Sequence, residues 1–159
     1  MMQLKQHEAE APIHRYNRCL MIGGILSLIA TALHIGIIFG GSDWYRFFGA
    51  GEEMAVMSEQ GSWLPQVMTL TIAMILLLWA CYAFSGAGLL PRLPLLRPTL
   101  LVITTIYLVR GLALIPLWLG WPEQINAFWV WSSLICLLYG LFYAAGSWQV
   151  WVRIGHANA

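Results

Sequence analysis

Apart from tyrosines and cysteines, two ionisable side chains fall well inside long apolar stretches of this sequence, His34 and Arg110. A charge held at mid-bilayer costs several kcal/mol, so such residues are kept where they face a bundle interior, a water cavity or a ligand. An imidazole is the side chain that exchanges protons near neutral pH. A guanidinium is a planar fork suited to a carboxylate, a phosphate or a quinone carbonyl, and it stays charged at any working pH. The connecting segment after the first stretch adds acids, with Asp43, Glu52 and Glu53 near Arg46. These residues suggest a site in which His34, Glu52 and Glu53 are the catalytic acid or base candidates. Arg110 is the head-group clamp, and Tyr107, Ser132, Ser133, Thr69, Asp43 and Arg46 complete the ligand-binding set.

Depth strengthens the grouping. With a rise of about 1.5 Å per residue, His34 falls about 9 Å and Arg110 about 12 Å below one edge of the hydrocarbon core. Thr69 and Thr71 on a second stretch, and Ser132 and Ser133 on a fourth, fall about 8–11 Å below the same edge. The polar residues also recur at helical spacing. Gly24, Ser27, Thr31 and His34 form one stripe, Thr104, Tyr107 and Arg110 another, and Ser132, Cys136, Tyr139 and Tyr143 a third. The expectation is one polar chamber, with Arg110 and His34 facing the same interior space if the first and third helices are neighbours. Serine, threonine and glycine in spans also serve plain helix packing, as Gly36-x-x-x-Gly40 does in the simplest reading.

The elements that carry these residues follow from composition. The chain has 159 residues, of which 60% are hydrophobic and 9% charged, and its mean hydropathy is +0.72. A soluble domain carries about 25% charged residues, so a water-soluble enzyme and a disordered chain are excluded. Eight Lys and Arg against seven Asp and Glu leave no basic stripe for nucleic acid. Four stretches reach the roughly 20 apolar residues needed to cross a bilayer: about 20–40, 64–85, 98–120 and 127–148. The fold class is therefore an all-α membrane protein, a bundle of four transmembrane helices forming one domain over 19–159, preceded by a polar tail over 1–18. Pro116 should kink the third span. Within 42–62, two short helical turns are expected, the first through Trp44 to Phe48 and the second through Glu52 to Gln60. They form a lid with Trp44, Phe47 and Phe48 available for burial.

Orientation follows from the basic residues. Lys5, Arg15, Arg18, Arg92, Arg97 and Arg153 share one side if the spans alternate, while Asp43, Glu52, Glu53, Glu59 and Glu123 share the other with Arg46 alone. The positive-inside rule puts both termini in the cytoplasm and the acidic segment outside. The first span is too long for a secretory h-region and lacks a clear cleavage site, so it is expected to be retained. The localisation expected is the cytoplasmic membrane of a bacterium.

Negative signals narrow the function. Cys19, Cys81 and Cys136 form no CxxC pair, which argues against a thiol oxidoreductase or a zinc site. His7, His14 and His156 lie toward the opposite ends of the spans from His34, so no bis-histidine haem site forms at its depth. No P-loop, HExxH, GxSxG or nucleotide fingerprint occurs. No metal is expected and no cofactor is indicated. The leading expectation is an outward-facing pocket in the bilayer that binds or processes a lipophilic molecule with a polar head, quinone-like or lipid-like. A non-enzymatic accessory or assembly subunit, its polar groups meeting a partner's helices, is the alternative. A small oligomeric transporter is a further one, for which four spans without an internal repeat are few.

Overall fold

The computed structural model describes residues 16–157, so most of the expected tail, including Lys5, His7, His14 and Arg15, lies outside the described residues. The described chain is all-helical: α1 (Arg18–Phe47), α2 (Glu52–Glu59), α3 (Leu64–Ala87), α4 (Leu96–Leu112), α5 (Leu114–Gly120) and α6 (Ala127–Ala157), with a 3-10 turn at Pro122–Gln124 before α6. Four helical stretches are long and apolar enough to cross a membrane, with α4 and α5 together making the third. Most of their apolar side chains point outward, among them Phe39, Leu70, Leu78, Val109 and Leu141. A surface of this kind is stable against lipid, where the helix satisfies its own backbone groups.

Each boundary has a local cause. Asn17, which the sequence leaves in the tail, caps α1 by accepting a hydrogen bond from the Leu20 amide. It is fully buried, and its side-chain amide donates to the Gly146 carbonyl of α6 at 2.7 Å. Its backbone N–H donates to Ala87 at the end of α3. One residue thus joins three helices. The first span stops at Gly41, whose φ of 67° and ψ of −152° break the helix; only glycine adopts this backbone without strain. The chain bends there, and the turn 42–47 brings the Trp44 ring down onto Gly40 and Gly36. The Gly36-x-x-x-Gly40 surface is therefore covered by the chain's own tryptophan and not by another span.

The third span breaks between Leu112 and Leu114, one turn before Pro116. Proline has no N–H to return to Leu112 and its ring crowds that carbonyl, which places the kink upstream of the proline. Around the bundle, α1 packs against α3 and α6, and α4 packs against α6 and, over a shorter length, α3. Helices α1 and α4 lie on the diagonal. The α4–α6 contact is close because Gly111 meets the Leu137 backbone, where a Cβ would stand 2.8 Å from the Leu137 Cα. The main core gathers Leu20, Leu76, Leu100, Ile103, Tyr107, Tyr139 and Tyr143.

Candidate functional site

Arg110 ends α4 half-buried, at the end of the bundle that carries residues 41–62. The close α4–α6 contact brings it to α6, where Nη1 donates to Ser133 Oγ at 3.0 Å and Nη2 to Ser132 Oγ at 2.9 Å. The guanidinium carbon lies 4.7 Å from the centre of the Trp129 ring. Trp129 precedes the two serines by three and four residues, so all three share one face of α6. The ring attracts the cation through its quadrupole. Among the described residues no carboxylate lies within ion-pair distance of Arg110. Two of the five N–H donors are used, both on neutral hydroxyls. The other three donors have no partner among the described residues.

The acids of the α1–α3 connection are engaged elsewhere. Arg46 Nε donates to both Glu52 carboxylate oxygens, at 3.1 and 3.0 Å, and Nη2 adds a third bond to Oε1 at 2.8 Å. Nη1 donates to Glu59 at 2.6 Å, and Asp43 stands 3.8 Å away. The Arg46 guanidinium holds the Glu52 and Glu59 carboxyls below their ordinary values, chiefly through these hydrogen bonds. Arg46 thus clamps α2 to the turn 42–47. Beneath the clamp, Tyr45 is fully buried with Ile37 and Ala55, and its hydroxyl lies 3.4 Å from that of Thr69 of α3. Gly49 seats the connection on the ring of Phe128, the residue before Trp129. The sequence offers Trp44, Phe47 and Phe48 for burial here. The buried residue is Tyr45, while Phe47 remains 81% exposed. Glu53 is exposed and lines a cavity of about 410 Å³ on α2 with Glu52, Val56 and Met57.

His34 is half-buried, and its Nδ1 lies 2.8 Å from the Ala30 carbonyl of its own helix. That bond is local and joins it to no other member of the candidate set. Because α1 and α4 lie on the diagonal, the expected neighbourhood of helices one and three is not formed. Thr69 and Thr71 also return their hydroxyls to their own helix, at Pro65 and Val67.

All four spans do meet through polar groups, but around Ser27. Its hydroxyl lies 2.9 Å from the Tyr143 hydroxyl and 3.3 Å from that of Tyr107, and Tyr143 donates to the Trp79 carbonyl at 3.2 Å. A carbonyl only accepts, which fixes the direction of the chain: Tyr107 donates to Ser27, Ser27 to Tyr143, and Tyr143 to Trp79. Tyr139 donates to the Leu26 carbonyl at 2.9 Å. Every member has a partner, so this cluster binds the helices to one another. Its tyrosines were visible in the sequence as stripes on α4 and α6, and Ser27 as a member of the stripe on α1, but not as the hub that joins them. Trp129 is not in the set read from the sequence; its spacing from Ser132 and Ser133 was the available signal.

Among the described residues no group of three or more His, Cys, Asp or Glu is placed to hold a metal ion. No family model, no curated protein and no solved structure matches this chain.

Proposed function

We propose that this protein is an inner-membrane receptor for an amphiphile with an anionic head, captured between α4 and α6 by Arg110. The observation that carries the reading is a guanidinium on a membrane-spanning helix that meets two neutral hydroxyls and an aromatic face, and no carboxylate among the described residues. Such a charge cannot escape its desolvation by losing a proton, so an external anion is its natural complement. The acidic segment 41–62, clamped by Arg46 and seated on Phe128, forms the wall beside the site. Arg92 and Arg97 mark the opposite end of the bundle, which supports a cytoplasmic position for that end and for both termini, with Arg110 in the outer leaflet.

The local bond of His34 and the engagement of Glu52 by Arg46 favour binding over a reaction. Glu53 is free of such a partner among the described residues. The test is to purify the wild type and Arg110→Ala in a mild detergent and identify what accompanies each by mass spectrometry. An anionic amphiphile present with the wild type and lost from the variant supports the reading. A stoichiometric membrane protein lost instead would make Arg110 the contact of an accessory subunit, its partner supplying the carboxylate.

A further inference from the structure

At the opposite end of the bundle from Arg110, α4 and α6 frame a second groove. A cavity of about 290 Å³ is lined by Leu101, Thr104, Ala144, Ser147, Trp148 and Trp151. Ser147 is 7% exposed and its Oγ has no hydrogen-bond partner. This departs from the habit of the threonines in the spans. Thr31, Thr69, Thr104 and Thr105 each donate to the carbonyl four residues earlier, the usual way a helix satisfies such a group. Ser147 leaves its donor unused at a buried position.

A cation stands at the mouth of the groove. The Arg97 guanidinium lies 5.6 Å from the centre of the Trp151 ring. Arg97 also lines an adjoining cavity of about 300 Å³ with Arg92, Leu95, Leu96 and Pro98. Neither arginine has a carboxylate within ion-pair distance among the described residues. The loop that carries Arg92 is fixed from below: Ser85 donates to the Pro91 carbonyl and accepts from the Leu93 amide, and Tyr82 donates to the Pro94 carbonyl. Leu95 has a φ of 54° and is 75% exposed, a strained backbone that turns an apolar side chain outward beside the two cations.

We propose that this groove seats one anionic glycerophospholipid. Its phosphate meets Arg97 and Arg92, and one acyl chain lies along Leu101, Ala144 and Trp148. Its ester carbonyl accepts the hydroxyl of Ser147. The depths agree, since Ser147 sits one turn, about 6 Å, further into the bundle than Trp151, and in a glycerophospholipid the ester follows the phosphate inward. Charge complementarity selects an anionic head over a zwitterionic one. The site is independent of Arg110.

The test is native mass spectrometry of the delipidated full-length chain, titrated with dioleoylphosphatidylglycerol or dioleoylphosphatidylcholine. The phosphatidylglycerol should bind more tightly, Arg97→Gln should remove about fivefold of that preference, and Ser147→Ala should weaken both lipids about threefold. Leu101→Trp, which fills the groove without touching the cations, should abolish the binding of both. Arg110→Ala should leave the preference intact, so this site and the outer one fail separately. Equal binding of the two lipids, an unchanged preference in Arg97→Gln, or displacement of the lipid by inorganic phosphate alone would overturn the proposal.

Discussion

Two arginines near the same end of this bundle are treated in opposite ways. Arg46 meets Glu52 through three hydrogen bonds, Glu59 through one, and Asp43 at longer range. Arg110 meets Ser132, Ser133 and the face of Trp129. Arg46 lies beyond the Gly41 break with its partners largely in the open, where ion pairs are individually weak and several must act together to hold a segment. Arg110 lies on an apolar helix, where a single unmet charge is expensive. A cation surrounded by its own chain's acids fastens structure, and one left with neutral partners in an apolar setting is available to something else. Position in the sequence does not separate these roles; the partners do.

The largest effect expected from breaking this contrast is at Arg110. Arg110→Ala should weaken binding of the anionic amphiphile about a hundredfold, the range found when one member of a desolvated charge pair is removed. Bundle stability should change little, because the Ser27 cluster and the Gly111 contact are untouched; dye-based thermal unfolding in detergent would check this.

Removing both hydroxyls, with Ser132→Ala and Ser133→Ala, should cost about tenfold in the same affinity, since charge remains and only its aim is lost. An affinity unchanged from the wild type would show that the serines do not orient the guanidinium.

Arg46→Ala should leave the affinity within about twofold and instead loosen the segment 41–62. A spin label at position 53, in a background without native thiols, should gain a mobile component about fivefold larger than in the unaltered clamp, the modest effect expected when an exposed ion-pair network is broken. A loss of affinity as large as that of Arg110→Ala would erase the distinction between the two arginines.

The smallest effect is that of acid. Glu52 and Glu59 have carboxyls held below their ordinary values by Arg46. Their contribution is therefore complete above the free carboxylate range and fades as pH falls through the depressed values. The same spin label should report an unchanged clamp from neutral pH to about 5 and a loosened one only well below about 4. Loosening near pH 6 would mean that another group holds the segment.

The four spans were legible because crossing a bilayer sets length and apolarity together, and Gly41 and Pro116 mark breaks with their own backbone chemistry. Helical rise also converts residue number into a coordinate along the bundle. The order of helices around the bundle was not legible. Arg110 and His34 share a calculated level, yet α1 and α4 are diagonal, and His34 is satisfied by the Ala30 carbonyl of its own helix. Depth is one coordinate of three. The acids of the connection looked available to a ligand because Arg46 meets Glu52 only after Gly49 and Gly51 turn the chain, and no helical spacing records that pairing. Tyr45, not its more apolar neighbours, is buried because the bend at Gly41 fixes which side of the turn faces Ile37 and Ala55. Ser27 became the hub because tyrosines on two other helices reach it, which no single stripe can reveal.

The most direct measurement compares two ligands that differ only at the head. Oleate and oleyl alcohol share a chain, and only oleate carries a carboxylate. Thermal stability of the delipidated protein should rise with oleate by about 2.7 kcal/mol at a hundredfold excess over its dissociation constant, and much less with the alcohol. Arg110→Ala should erase the difference between the two ligands, and Arg46→Ala should preserve it. Equal stabilisation by both ligands in the wild type, or a difference that survives in Arg110→Ala, would contradict the assignment of Arg110 as the anion-binding cation.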